Sequence, residues 1–274
     1  MLTTMVTARL HWNDLLPAAR AAIEARTGSI HQAHTVSGGH NSEIAVRLDT
    51  DHGAVFVKGL RCDHPRVWTQ RREAAVAPYT GSLAPTLLWH LESAGWNFLG
   101  FAFIDEGRHA DYSVGSPDLQ LLAQALTALA EIPAPPVELK RAEDRWAAYI
   151  PDPTLRSALS GGHLAHTDFN PENVIITPTR ATLVDWAWST AAAPWIDPAL
   201  GCIWLIATGK HDPAEAEQWA SRMPAWRSAP PDALTAFAEA NAKLWSEIAD
   251  ENPGSWSASL RDAAGRYAAF RLHA

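Results

Sequence analysis

His166, Asp168 and Asn173 stand in an H-x-D-x-x-x-x-N pattern. An apolar run follows at Val174, Ile175 and Ile176, then a turn, then a second run at Leu183 and Val184 that ends on Asp185. These residue types at this spacing suit transfer of a phosphoryl group to a hydroxyl. A hydroxyl nucleophile needs a carboxylate near its proton, and Asp168 is placed to be that group. Magnesium between phosphates needs hard oxygen donors, and Asn173 and Asp185 offer an amide and a carboxylate oxygen. Two strands, 173–177 and 181–185, would form a hairpin that keeps those two ligands at fixed separation. His166 is expected to hold the loop's backbone and not to touch substrate.

The run from His166 to Asn173, followed by Val184, Asp185 and Trp186, resembles the aminoglycoside phosphotransferase family, which includes choline-kinase-like and other small-molecule kinases. A protein kinase would carry Arg after the histidine and Asp-Phe-Gly at the metal aspartate, where this chain has Thr167 and Asp185, Trp186, Ala187. Pro194 and Asp197 match a Pro and an Asp that the family places downstream. Two departures stand out. The acidic residue that often follows Asp-Trp is replaced by Ala187 and Trp188, and the frequent Gly-Asp-Pro reads Ala192, Ala193, Pro194. The resemblance implies a two-lobed protein-kinase-like α+β fold. Its small lobe would hold an antiparallel sheet plus a helix, and its large lobe would be mostly helical.

The elements ahead of the loop must hold the nucleotide. Asn13 is the expected cap for a helix through Arg26, with Gly28 as its stop. Strands are expected at 30–36, at 43–48 with Ile44, Val46 and Leu48 alternating, and at 54–58 ending on Lys58. The turn between the first two contains Gly38 and Gly39, whose backbone N–H groups could approach phosphate oxygens closely. It is not a Walker loop, because no Gly-Lys-Ser/Thr follows. Lys58 is the candidate clamp on the α- and β-phosphates. Glu73, about two turns into a helix with Pro65 in its first turn, is the candidate partner that orients it. Arg71 and Arg72 offer Glu73 a competing role as a surface ion pair. A strand pair follows at 85–90 and 96–104. Phe101, Ala102, Phe103 and Ile104 would present backbone groups to an adenine edge inside an apolar cleft.

Division near residue 104 gives a nucleotide-binding lobe, 1–104, and a catalytic and acceptor-binding lobe, 105–274. Helices are expected at 116–131, 141–149, 153–160, 198–208, 213–223, 231–249 and 255–272. In the resemblance this helical tail builds the acceptor pocket. Trp219, Trp226, Trp245 and Trp256 lie there with six acidic residues. Such tryptophans more often fill a core and such acids a solvated face, so the tail yields no acceptor residue.

The chain has 274 residues, of which 47 % are hydrophobic and 19 % charged, enough for two packed lobes. A net charge of −8 disfavours a nucleic-acid partner and permits a cationic substrate. Two distant cysteines, Cys62 and Cys202, speak for a reduced compartment. The sequence begins without a basic, apolar leader, and its most apolar run is too short to span a bilayer, so a cytoplasmic, monomeric protein is expected, with a dimer left open.

The resulting expectation is an ATP- and Mg2+-dependent phosphotransferase acting on a small-molecule hydroxyl. GTP is open as donor. The acceptor is open among antibiotics, amino alcohols, sugars, nucleosides and amino acids, and an antibiotic would make it a resistance enzyme. Two other readings compete. One is a non-catalytic nucleotide-binding module on the same fold. The other is a metal-dependent hydrolase using His163, His166 and Asp168, with His31, His34 and His40 elsewhere. Its histidine spacing of i, i+3 departs from the H-E-x-x-H pattern of a helical zinc site.

Overall fold

The computed structural model describes residues 9–36 and 41–273. The chain forms two compact units. One comprises the described residues up to 107 together with 184–187; the other comprises 108–183 and the chain from 188 onward. The four residues around Asp185 therefore pack with the first unit, although a division by chain order assigns them to the second.

In the first unit, α1 (Pro17–Thr27) precedes strands β1 (Ile30–Thr35), β2 (Ile44–Thr50) and β3 (Gly53–Arg61). Then come α2 (Val67–Val76) and strands β4 (Leu87–Ser93) and β5 (Trp96–Ala102). The strands make one antiparallel sheet in the order β1-β2-β3-β5-β4. The helix expected from Asn13 starts later: Trp12–Asp14 is a 3₁₀ turn and α1 opens at Pro17. Proline lacks the N–H that a first-turn position leaves unpaired, so it fits there better than further inside. Helix α2 begins at Val67, so Pro65 lies ahead of its cap and not, as the sequence suggests, in its first turn.

Alternation along the strands decides what each face carries. Val46 pairs with Val57, and Val57 with Gly100. Ile44, Val46, Leu48, Val55, Val57, Trp96 and Phe98 pack with Leu15, just ahead of α1, and with Ala19 and Ile23 of α1. Lys58 is one residue out of step, opposite Ala45 and Leu99, and so projects from the other face. Two glycines keep the α1 face dense. A side chain at Gly59 would strike Phe98, and a Cβ at Gly100 would lie 2.2 Å from the Trp89 ring.

The second unit has two small sheets and a helical bundle. Strands β6 (Arg108–His109), β9 (Val174–Ile176) and β10 (Ala181–Leu183) form one sheet. Strands β7 (Lys140–Arg141), β8 (His163–Ala165) and β11 (Thr190–Ala192) form the other, with β11 central. The helices are α3 (Asp118–Leu129), α4 (Ala142–Arg145), α5 (Pro153–Ser157), α6 (Ile196–Thr208), α7 (Pro213–Ala220), α8 (Pro224–Arg227), α9 (Pro231–Glu251) and α10 (Ser255–Arg271). The helix expected over 141–149 shrinks to the four residues of α4. Helix α6 is buried from Ile196 through Ile206, as its almost wholly apolar sequence requires, with α7 and α10 packed on it. Arg108 fixes the start of α3 by donating to both oxygens of the buried Asp118, at 2.5 and 2.7 Å. Among the described residues no helix is long and apolar enough to cross a membrane.

Gly100 has an ordinary backbone conformation, so its role is space for Trp89. Gly100→Ala should cost about 1–3 kcal/mol through overpacking. Trimming Trp89 to Leu should recover part of it, so that the double variant costs less than the sum of the singles. Chemical denaturation of the four chains measures this coupling; additive losses would mean that the two residues do not share that space.

Candidate functional site

The first unit brings together a buried group of charges. Lys58 Nζ lies 2.5 Å from Glu73 Oε2 and 3.3 Å from Asp185 Oδ1. The Lys58 and Glu73 side chains are 11 % and 4 % exposed. Arg71 instead pairs with Glu92 at the surface, so Glu73 is not a surface ion pair with it. Glu73 also accepts the Trp186 N–H, which ties α2 to the residue after Asp185. Burial alone would depress the Lys58 ammonium, but the charges of Asp185 and Glu73 outweigh it and hold it above its ordinary range. Burial pushes the Glu73 carboxyl up, against the pull of Lys58. One ammonium between two carboxylates stays charged, and that is the state the geometry favours.

Asp185 has φ +62, a left-handed conformation that costs an L-residue about 1–2 kcal/mol. Its second oxygen, Oδ2, accepts the Asn41 amide at 3.1 Å. Asn41 Oδ1 in turn accepts Arg66 Nη1 at 3.4 Å. Neither Asn41 nor Arg66 stood out in the sequence, because nothing local links them to a residue more than a hundred positions away. Gly38 and Gly39, with His40, lie outside the described residues.

Phe101 is buried on the Lys58 face, its ring 5.9 Å from Nζ. The N–H groups of Ala102 and Phe103 are spent inside the unit, on Thr86 O at 2.9 Å and Ala54 O at 3.2 Å. The Phe103 ring is capped by the Arg47 guanidinium at 4.5 Å. Of the four residues 101–104, Ile104 is left with an N–H that makes no backbone hydrogen bond among the described residues.

The second unit carries the catalytic-loop candidates. Strand β8 pairs with β11 and delivers the chain into His166. The buried His166 accepts the Asp168 N–H on Nδ1 at 3.3 Å, and its ring lies 5.5 Å from that of Phe169. Asn173 ends the 3₁₀ turn Pro171–Asn173, just before β9. It donates Nδ2 to the Asp168 carbonyl at 3.3 Å, which commits its nitrogen and leaves Oδ1 as a hard donor. An amide oxygen is a donor type that magnesium takes. Strands β9 and β10 are shorter than the sequence suggests, ending at Ile176 and Leu183. The left-handed turn at Asp185 breaks the second strand.

What holds the loop is Asp197, in the first turn of α6. Oδ2 accepts the His166 N–H at 2.9 Å and Oδ1 the Thr167 N–H at 3.0 Å. Thr167 is at φ +64, so these bonds help fix a conformation its side chain disfavours. Its hydroxyl donates to the Trp188 carbonyl at 2.8 Å and accepts Arg145 Nη1 at 2.6 Å. The spacing of Pro194 and Asp197 marked Asp197 as a match but carried no role for it, and Arg145 carried no signal. His163, His166 and Asp168 form no metal site: among the described residues no three His, Cys, Asp or Glu side chains are grouped to hold an ion.

In the tail, Trp219 and Trp226 are buried, and Trp219 donates Nε1 to Leu119 O at 2.9 Å. Trp204, Trp245 and Trp256 pack edge-on or tilted against one another with centroids 5.4–6.4 Å apart. Glu217 is taken up by Tyr267 and Arg271, and Asp212 caps α7.

Burial raises the Asp197 carboxyl to about 7, against the pull of the two amides. Its folded value thus exceeds its unfolded one, so the folded chain binds more protons in between, and this group's contribution is lost as pH rises through about 7. The stability margin of the wild type over Asp197→Asn should therefore narrow from about pH 4 to above pH 7, read by urea unfolding at each pH. A margin that widens would mean that the folded carboxylate is ionised throughout.

No family model matches the chain, and no curated protein matches it in sequence. Solved structures do match. Choline kinase LicA from Streptococcus pneumoniae is 14 % identical, covering 92 % of this chain and 99 % of that one, with a TM-score of 0.59. A thermostable mutant of the aminoglycoside phosphotransferase APH(4)-Ia, in ternary complex with AMP-PNP and hygromycin B, is 18 % identical. It covers 94 % of this chain and 98 % of that one at a TM-score of 0.62. Spectinomycin phosphotransferase APH(9)-Ia with ADP and spectinomycin is 12 % identical, covering 92 % and 94 % at 0.56. The chain has the protein-kinase-like α+β fold on which choline kinase and these aminoglycoside phosphotransferases are built.

Proposed function

We propose that the protein is a small-molecule kinase that transfers the γ-phosphoryl of ATP to a hydroxyl. The observation that carries this reading is the Lys58 ammonium buried between Glu73 and Asp185. A purely structural lysine has no need of two carboxylates, whereas a phosphate clamp needs one to aim it and must sit beside the metal ligand. The similar structures support the reading in kind, since two of them hold an adenine nucleotide together with hygromycin B or spectinomycin.

In this reading Lys58 binds the α- and β-phosphates and Glu73 orients it. Asn173 and Asp185 hold magnesium, which when bound neutralises charge on the phosphates. Asp168 accepts a hydrogen bond from the acceptor hydroxyl and points its oxygen at the phosphorus. Phosphoryl transfer is largely dissociative, so this orientation counts for more than early proton removal, and the proton passes to Asp168 as the new bond forms. His166 and Asp197 keep the loop in shape for that step. The base is read by backbone groups with Ile104 as the available donor, which leaves GTP as a second donor to assay. The acceptor is one of the hydroxyl compounds named above.

Asp168→Asn keeps shape and removes charge. It should retain Mg–ATP affinity within a few-fold and lose on the order of 10²–10⁴ in kcat. Calorimetry gives the first quantity, and product mass after screening an acceptor panel with ATP and GTP gives the second. Asp185→Ala should weaken Mg–ATP binding and abolish turnover, and Glu73→Ala should lose less than Lys58→Ala. Nucleotide binding without transfer to any acceptor would instead support the non-catalytic module. Full turnover in Asp168→Asn would remove that residue from the mechanism.

A further inference from the structure

Arg145 is the last residue of α4 and lies outside the loop motif. Two neighbours of β11 bring it to the loop. Strand β7 pairs with β11 through Lys140 opposite Thr190 and leads into α4. Strand β8 pairs with it through Ala165 opposite Thr190 and leads into His166. The buried Trp146 anchors the far end of α4, edge-on against Phe237 of α9 with centroids 4.9 Å apart. The Arg145 guanidinium lies against the rings of Trp146 and Trp188, at 4.7 and 5.6 Å. Its Nη1 donates to Thr167 Oγ1 at 2.6 Å, Thr190 Oγ1 at 3.2 Å and Trp188 O at 3.4 Å. Both hydroxyls spend their protons on Trp188 O at 2.8 Å, so each offers Arg145 a lone pair. Thr167 is thus held by its side chain as well as by Asp197 at its N–H. A threonine at φ +64 needs both holds, and Asp168 is the next residue. The Arg145 charge also pulls the buried Asp197 carboxyl down, against burial, toward the ionised form that binds N–H groups best.

We infer that Arg145 is a positioning residue for phosphoryl transfer, fixing through Thr167 the backbone from which Asp168 reaches the acceptor hydroxyl. The inference rests on the kinase reading and adds to it a residue outside the loop. Arg145 touches neither nucleotide nor acceptor in this role. It acts on the direction in which Asp168 leaves the chain. The task calls for arginine in particular. A planar guanidinium lies on two indole faces while one of its nitrogens reaches the hydroxyls, whereas a lysine ammonium keeps the hydrogen bonds and loses the stacking.

The test uses the full chain and Mg–ATP, with turnover read as phosphate release to water and as transfer to the panel compound that wild type uses. Rates are taken per folded molecule, with the folded fraction from thermal melts. Arg145→Gln should lose about 10²-fold in kcat, the effect of a displacement of about 1 Å at the reacting atoms. Its Mg–ATP Kd and acceptor KM should stay within about threefold of wild type. Arg145→Lys should recover part of the rate. Thr167→Val should lose rate as well, and the double variant should lose less than the product of the two singles, because both cut the same bond. Amide exchange over 163–169, read by mass spectrometry, should rise in Arg145→Gln more than in the rest of the second unit. Normal turnover in Arg145→Gln, with or without a lower melting point, would make Arg145 a stability residue and overturn the inference. An equal loss of Mg–ATP affinity would also overturn it. If Arg145→Gln does not fold, Arg145→Lys and Thr167→Val carry the test with the same signs. If wild type transfers phosphoryl to no acceptor, the kinase reading fails; unchanged exchange over 163–169 sinks the positioning role by itself.

Discussion

A buried ammonium with two carboxylates is the constraint around which the first unit is arranged. Burying Lys58 without compensation would cost several kcal/mol, and Glu73 and Asp185 remove that cost only if all three are held in place. The sheet does the first part. Lys58 emerges from β3 on the face opposite α1 because Val55 and Val57 must point into the core. Helix α2 does the second, with Val67, Gln70, Glu73 and Val76 on its buried side. The third comes from residues 184–187, and the Trp186 N–H on Glu73 joins them to α2. With one cation against two anions the group carries an excess negative charge, which is an arrangement suited to a further cation.

The second unit solves a different problem, holding a loop in a shape it resists. Thr167 in a left-handed conformation is stable only if its neighbours over-determine it. Asp197 does so from a buried helix start, where a carboxylate is also favoured by the α6 dipole. The cost is a carboxyl shifted far from its ordinary range, and the gain is that Asp168 leaves the loop from a fixed backbone. Each unit thus stores strain at one residue, Thr167 or Asp185, beside a residue expected to act on substrate.

How much of this could be read from the sequence follows from how far apart the interacting residues lie. The loop from His166 to Asn173 and the hairpin behind it are local, so their spacing is fixed by covalent geometry and turn chemistry, and the pattern was legible. Strands carrying Lys58 and a helix carrying Glu73 were legible from alternation and periodicity. Their 2.5 Å approach was only one of two options, since Arg71 lies much nearer to Glu73 in sequence than Lys58 does. Asn41 and Arg66 were not legible, because a lone Asn in a turn and an Arg beside a helix have many ordinary uses. The spent N–H groups of Ala102 and Phe103 were equally out of reach, since strand pairing with Thr86 and Ala54 decides them. The exact start of α1 was lost to Pro17, which fixes where a helix can begin more firmly than a capping side chain does.

The difference from protein kinases at Thr167 and the departure from the phosphotransferase pattern at Trp188 meet at one carbonyl. Thr167 stands where a protein kinase has arginine, and Trp188 stands in the stretch where the phosphotransferase pattern often has an acid. In the structure Trp188 O accepts the hydroxyls of Thr167 and Thr190, both at 2.8 Å, and Arg145 Nη1 at 3.4 Å. The Arg145 guanidinium also lies 5.6 Å from the Trp188 ring, and Lys140 Nζ lies 4.7 Å from it. A guanidinium is therefore present beside the loop, supplied by α4 and not by the residue after the histidine. Thr167 is short enough to leave it room and polar enough to bind it. An acid at position 188 would add a second carboxyl to a region where Arg145 already attracts Asp197, and would draw the guanidinium off Thr167. Tryptophan holds the same two cations through its ring face without competing for their hydrogen bonds. Thr167 and Trp188 thus share the Arg145 guanidinium, and the loop keeps its shape with it.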